Sequence, residues 1–400
     1  MRVALLTDES LPNGTRIHAK MIHELAIEFK KKGHKPIVIS PGSPKQNSPL
    51  VIDYFEEIEI WRFRSGQTRG VGMFRRLVNE FLLPYRAWYA ISNEVKNNSF
   101  DLCVNYSPTI FFGPLAQKFR KDGTYIYLVL RDMFPQWIID QGIISKKSPA
   151  AFFLRWREKI NYDASNCIGV MSKANLKIFK SIFPKYHNVK VLMNWSSVSP
   201  SIILEKNFKI REKYNLSEKT IFFYGGNLGH SNDMTNLMRL ARSLKHYNDA
   251  HFLIIGQGDE YELINDLIVS WDLHNVLLLP SVSQNIFRDI LKEIDIGLFT
   301  LSKKHTAHNF PGKLLGYMLD SKPILGSVNP GNDLLELINN SEAGYVFING
   351  DDDSLYDAAI NLLKNPAHRI ILGENGNKLL INKFSVESAA ANIMLEMFKK

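Results

Sequence analysis

FPGKLLGYMLDSKPIL, residues 310–325, reads as a loop reaching Pro311-Gly312, a short helix starting near Lys313, and a buried strand over Pro323 to Leu325. A lysine in the first helical turn is the wrong charge there, because the N–H groups of that turn have no partner within the helix and the dipole is positive. An anion between the helix end and the ammonium reverses the sign of that cost. A phosphate is therefore the ligand expected at this corner.

Outward from that stretch, helix and apolar strand alternate through the whole chain. VALLT opens into a polar loop, a helix spans about Ile17 to Lys32 and ends at Gly33, and PIVIS follows; DLCVN, YIYLVL and CIGVM each precede a helix-length segment. After VLMNWSS (Val191 to Ser197) and a charged segment from Glu205 to Glu218, a second series runs IFFYGGNLG, FLIIGQGDE, NVLLLPSVS, DIGLF, KPILGS and AGYVF. Strands that are apolar throughout and separated by helices belong to a parallel sheet covered on both faces. The expectation is an α/β chain with two Rossmann-like, doubly wound domains, residues 1–195 and 196–380, and a closing helix within 381–400 that packs back on the first. Open sheets of this kind bind ligands beyond the carboxyl ends of their strands, so the two domains are expected to face a central cleft. The loops selected are those after Thr7, Leu130, Tyr224, Ile255, Leu279, Phe299 and Gly326.

A chain of 400 residues suits two ordinary domains, and a formal charge of +9 favours anionic partners such as nucleotides or phospholipid headgroups. Cys103 and Cys167 both lie in apolar strand-like runs, so neither a disulfide framework nor a Cys/His metal cluster is expected, and the site is predicted to need no metal and no cofactor. The apolar part of MRVALLTDES is too short for a signal peptide, and no run approaches the ~18 apolar residues of a spanning helix. The expected location is cytoplasmic, with membrane contact only from the surface.

Several loops carry candidate residues. Asn13-Gly14-Thr15 follows the first strand, where a glycine loop lets a phosphate or sugar approach backbone amides, although an Asn-Gly turn alone gives the same pattern. His18, one turn into the next helix, either faces the ligand or is a structural histidine. Arg131-Asp132 ends YIYLVL; the arginine is suited to a bidentate phosphate contact or to an internal ion pair, and Asp132 to holding an acceptor hydroxyl. Gly225-Gly226-Asn227 and Gly256-Gln257-Gly258 end strands as nucleotide-binding turns do, but neither completes GxGxxG with an acid about twenty residues on, which disfavours a dinucleotide dehydrogenase. In the segment from Arg62 to Tyr89, Phe74, Leu77, Val78, Phe81, Leu82 and Trp88 fall on one helical face, among Arg62, Arg64, Arg69, Arg75, Arg76 and Arg86. That pattern fits a helix lying in a membrane interface and equally a core-packed helix with a basic edge. No base-stacking aromatic motif accompanies it, so nucleic acid is not an expected partner.

NGTRIHAK with FKKKGHKPIVIS, RDMFPQW, FYGGNLG, LIIGQGDE, LLPSVS and FPGKLLGYMLDSKPILGS, in this order, resemble family 4 glycosyltransferases over nearly the whole length. The RDxFP loop, the Gly-Asn turn and the PGKLLGYM form resemble the branch that builds bacterial surface polysaccharides, some of whose members transfer N-acetylfucosamine. The resemblance implies the GT-B fold, retention of anomeric configuration, a nucleotide-sugar donor in the C-terminal domain, and an acceptor in the N-terminal domain. Carried onto this sequence, it supports Lys313 as a ligand of the leaving diphosphate and puts Arg131 where the family usually has a histidine near the reacting sugar, open to the acceptor's phosphate or the donor's diphosphate. It assigns donor contacts to Gly226, Asn227, Gly256, Ser281, Val282, Pro311, Gly312 and Leu314, and acceptor contacts to Asn13, Gly14, Thr15 and His18. Two family features are missing. His308 and Gly316 stand where two glutamates are usual, the second a ribose ligand, and Asn227 with His230-Ser231-Asn232 replaces the usual phosphate-binding arginine and lysine. The phosphate role then falls to Lys313.

The function expected is transfer of an N-acetylated amino sugar from UDP to a lipid-linked saccharide, in O-antigen or capsule assembly, at the inner face of the cytoplasmic membrane. A sugar-nucleotide epimerase of the same fold is the alternative among enzymes, and the missing carboxylates count against it. A non-catalytic nucleotide-sugar binder is the alternative outside them.

Overall fold

The continuous apolar runs are strands, and helices separate them. The computed structural model describes all residues except 15, 69, 108, 141, 143, 199–207, 305–309 and 400, with backbone alone for 73, 137, 140 and 284. Met1–Ser197 with Val386–Lys400 form one compact unit and Val198–Ser385 the other.

The first unit is built on eight strands: β1 (Arg2–Leu6), β2 (Lys35–Gly42), β3 (Leu50–Phe55), β4 (Ile58–Arg64), β5 (Leu102–Ser107), β6 (Tyr125–Leu130), β7 (Cys167–Val170) and β8 (Val189–Val191). Their order is β3-β4-β2-β1-β5-β6-β7-β8, and every neighbouring pair is parallel except β3 with β4. Val3 to Leu6, Leu102 to Val104 and Ile126 to Val129 are essentially wholly buried, as a sheet covered on both faces requires. Cys103 and Cys167 are free and buried within it.

The β3–β4 hairpin corrects one expectation. Arg62 and Arg64 lie on β4, not on the basic aromatic helix, which begins only at Met73. The period-two alternation Ile58-Glu59-Ile60 marks the strand, but it is short and runs straight into the arginine-rich segment. Arg62 is buried and donates to Asp53 Oδ2 at 3.0 Å, Ser10 Oγ at 2.9 Å and the Leu11 carbonyl at 2.7 Å, so it ties the loop after β1 to the sheet.

Helix Met73–Asn97 has two apolar faces. Leu83, Ala87, Ile91 and Val95 pack into the core with Trp61, Phe63 and Phe119, whereas Phe74, Leu77, Val78, Tyr85 and Tyr89 stay exposed. The core-packed reading thus describes one face of the helix. Helix Val386–Phe398 lies against helix Ile17–Lys31, burying Val386, Ala389, Ala390 and Ile393, and the Tyr125 hydroxyl donates to the Glu396 carbonyl at 2.9 Å. Among the described residues no helix is long and apolar enough to cross a membrane.

The second unit repeats the scheme with six parallel strands: β9 (Thr220–Asn227), β10 (Ala250–Gln257), β11 (Val276–Pro280), β12 (Ile296–Thr300), β13 (Ile324–Val328) and β14 (Gly344–Ile348), ordered β11-β10-β9-β12-β13-β14. The order reverses direction between β9 and β12, which is where a parallel sheet of this kind opens a crevice at its carboxyl edge.

Candidate functional site

β9 ends in Tyr224-Gly225-Gly226-Asn227, and β10 runs beside it with Gly256 opposite Gly226 and Gln257 opposite Asn227. Side chains do not fit at this edge. A Cβ at Gly256 would lie 1.9 Å from the Gly226 carbonyl oxygen, and Gly226 has φ +131°, a conformation other residues rarely adopt. Lys313, the first residue of helix Lys313–Leu319, occupies the neighbouring space: its Cε and Nζ are 3.5 and 3.6 Å from where a Gly226 side chain would begin.

The lysine ammonium sits 3.2 Å from the centroid of the Tyr224 ring, whose hydroxyl donates to the Asn227 carbonyl at 2.7 Å. The ring face attracts the cation. Burial nonetheless pushes the Lys313 pKa well below the ordinary lysine range. Among the described residues no carboxylate pairs with it. The supporting helix is fixed by Tyr317, whose buried hydroxyl donates to the Phe223 carbonyl at 3.2 Å and the Leu298 carbonyl at 3.1 Å, joining β9 and β12. The Leu314 and Leu315 N–H groups donate to the Pro311 and Gly312 carbonyls at 3.1 and 3.2 Å, closing the turn before the helix. Leu314 itself is a fully buried core residue. After β11, the Ser281 hydroxyl donates to Gln257 Oε1 at 3.1 Å, and Val282 is next in the chain. The carboxyl ends of β9, β10 and β11 and the start of one helix thus gather the expected donor residues into a single corner.

In the first unit the loop after β1 and the ends of β5 and β6 hold a second group. His18 is buried, with Nε2 2.9 Å from Asp8 Oδ1 and its ring stacked on Tyr106 at 5.3 Å. Asn13 is exposed, and the Gly14 N–H donates to the Ser10 carbonyl at 2.8 Å in a tight turn; Thr15 lies outside the described residues. Arg131 is buried and donates to the Leu192 carbonyl at 2.6 Å and the Met193 carbonyl at 3.2 Å, over the Trp195 ring. Its fork is therefore filled by backbone oxygens at the end of β8, an arrangement neither expected reading contained, and burial lowers its pKa. Asp132 keeps an exposed edge, yet desolvation by the surrounding protein raises its carboxyl pKa, with the Arg131 charge opposing.

Among the described residues no group of three or more His, Cys, Asp and Glu side chains is arranged to share a metal ion. Residues 206–379 match the family described as Glycosyl transferases group 1. That match lies within the second unit. The chain is 22% identical over 227 residues to a probable glycosyltransferase, WbjE, of Pseudomonas aeruginosa, a match spanning 54% of each chain, so it covers about half the length of that relative. Its fold is that of the GT-B glycosyltransferases. WaaG, a glycosyltransferase involved in lipopolysaccharide biosynthesis, superposes with a TM-score of 0.67 at 12% identity over the whole of both chains. Anabaena HepE, solved in complex with UDP and glucose, superposes with a TM-score of 0.67 at 14% identity over 99% of this chain and 98% of that one.

Two features of the second unit go beyond the sequence reading. His230, exposed beyond the end of β9, has Nδ1 2.9 Å from Glu260 Oε1 and Nε2 3.1 Å from Asp259 Oδ2. The bond to Glu260 and the charge of Asp259 raise its pKa. Glu260 also accepts from the Met234 N–H at 3.0 Å, which anchors the pair to the start of helix Met234–Ser243. The signal was present in the sequence: His230 follows one glycine turn and Asp259-Glu260 the other, and the turns meet because β9 and β10 are neighbours. At Gly316, a Cβ would lie 3.1 Å from Leu291 Cδ1, so an apolar neighbour closes the position where the resemblance puts a ribose-binding glutamate. His308 lies outside the described residues.

Proposed function

We propose that this chain is a retaining family 4 glycosyltransferase that moves a sugar from a nucleoside diphosphate, UDP with an N-acetylated amino sugar, to a lipid-linked saccharide in bacterial surface-polysaccharide assembly. The second unit takes the donor and the first the acceptor. One observation carries the reading: the Lys313 ammonium is desolvated, lacks a carboxylate partner among the described residues, and lies against the tightly packed glycine turn of Gly226 and Gly256. A buried cation without a counter-charge is costly, and a diphosphate supplies that charge. HepE, solved with UDP and glucose, supports the donor class, and WaaG, involved in lipopolysaccharide biosynthesis, supports the acceptor class.

In this reading Lys313 stabilises the departing diphosphate as the sugar becomes oxocarbenium-like. The acceptor hydroxyl then attacks from the departing side, which retains configuration. Asp132 holds that hydroxyl, Arg131 braces the loop that carries Asp132, and Asn13, Gly14 and His18 line the acceptor side. The work is done at the inner face of the cytoplasmic membrane, where the acceptor lipid resides.

The test is a thermal-shift screen of nucleotide sugars followed by product analysis with the stabilising donor and a lipid-linked acceptor fraction. Lys313→Ala loses a charge-assisted bond worth about 1.5–3 kcal/mol, so kcat/KM falls roughly 10- to 150-fold while the fold is kept. A parent protein that no nucleotide sugar stabilises, or a mutant as active as the parent, overturns the assignment.

A further inference from the structure

We infer that the outer face shared by helices Met73–Asn97 and Pro149–Asp163 is a docking surface for an anionic lipid bilayer. The inference deepens the reading of a lipid-linked acceptor, and it stands on surface features away from the donor corner.

A ladder of rings joins the two helices: Tyr85 to Phe81 at 5.7 Å, Phe81 to Phe153 at 5.9 Å, and Phe153 to Trp156 at 5.9 Å between centroids. On the same two helices Phe74 and Phe152 are each 80% exposed, and Leu77, Val78 and Tyr89 of the first helix are exposed as well. Apolar rings so exposed on two adjoining helices mark an interaction face.

Beneath the ladder lies Arg157, fully buried. Its guanidinium carbon is 5.1 Å from the Phe81 centroid, 5.4 Å from Phe111 and 5.5 Å from Trp156, and Nη2 donates to the Phe111 carbonyl at 3.0 Å. The cation holds the rings at a fixed level instead of letting them collapse inward.

Charge selects the occupant. From Arg64 to Asn97 and from Ile144 to Asp163 the sequence carries eleven arginines and lysines and four acidic residues, of which Glu80 is engaged by Arg76 at 2.9 Å and Glu158 by Arg155 at 2.7 Å. Lys146 and Lys147 lie just before the second helix and Arg75 and Arg76 follow Phe74, so each exposed phenylalanine has two cations close by in the chain. Aromatic rings seat at headgroup depth while arginine and lysine reach lipid phosphates, whereas a face between two copies of the chain would set these like charges against one another.

The experiment sediments the full chain, without donor or acceptor, with vesicles of phosphatidylcholine alone and of equal parts phosphatidylcholine and phosphatidylglycerol. Binding to the anionic vesicles is expected to exceed binding to the neutral ones and to weaken as salt is raised. Arg75→Glu with Arg76→Glu reduces it at least about tenfold, as does Phe74→Ser with Phe152→Ser, both with unchanged melting and unchanged stabilisation by UDP. Absence of vesicle binding by the parent, binding that survives both double substitutions, or a dimer that Phe74→Ser with Phe152→Ser dissociates, each overturns the assignment. Because UDP stabilisation is read separately, failure here leaves the donor reading standing, and loss of the UDP response leaves this one standing.

Discussion

Lys313 and His230 hold their protons in opposite ways, and pH separates them. Burial lowers the Lys313 pKa in the empty site, so capture of a diphosphate draws a proton onto the amine and weakens as pH rises through that depressed value. His230 is held above the usual histidine range by Glu260 and then Asp259. Its cation, and any stability the two contacts give, is complete below the unfolded histidine pKa and lost as pH rises through the folded one. UDP affinity is therefore expected to fall with rising pH, and calorimetry in buffers of different ionisation enthalpy should record proton uptake on binding. His230→Gln should remove the histidine's share of that fall; an unchanged profile would assign His230 no part in anion capture. Lys313 was legible in the sequence because lysine after Pro-Gly opposes the helix dipole. For His230 the two glycine turns were readable but their meeting was not, because its partners lie 29 and 30 residues away and reach it only through strand pairing.

At the level of elements, the donor corner depends on two contacts that admit no extra atoms. Gly256→Ala places a methyl 1.9 Å from the Gly226 carbonyl oxygen and forces β9 and β10 apart, at a cost of about 1–3 kcal/mol or more. Tyr317→Phe leaves two buried carbonyls without their shared donor, and a loss of about 1–3 kcal/mol is expected. Chemical denaturation followed by near-ultraviolet signal from the aromatic rings would measure both; a change under about 0.5 kcal/mol would show that the corner tolerates rearrangement. The strands that build this corner were readable because they are apolar end to end. The hairpin of β3 and β4 was not, since β3 is exposed along most of its length and Arg62 is buried only through partners in another loop. Arg131 shows the same limit: its sequence neighbour Asp132 suggests an ion pair, whereas its partners are backbone carbonyls 61 and 62 residues on.

Across the whole molecule, the first unit is made of two pieces of chain. Removing residues 386–400 uncovers the surface of helix Ile17–Lys31 that Val386, Ala389, Ala390 and Ile393 bury. Val386 and Ile393 alone contribute roughly 1.5–3 kcal/mol each by burial, so the truncated protein should lose about 3–6 kcal/mol from the first unit and much less from the second. Scanning calorimetry with limited proteolysis would follow it. Equal destabilisation of both units would mean that they unfold together.

During synthesis this arrangement imposes a delay. The first 197 residues leave the ribosome long before the segment that covers their helix has been translated, and the entire second unit must emerge in between. Until the last turns of chain appear, the nascent first unit presents a sticky apolar strip to its surroundings, a natural target for chaperones.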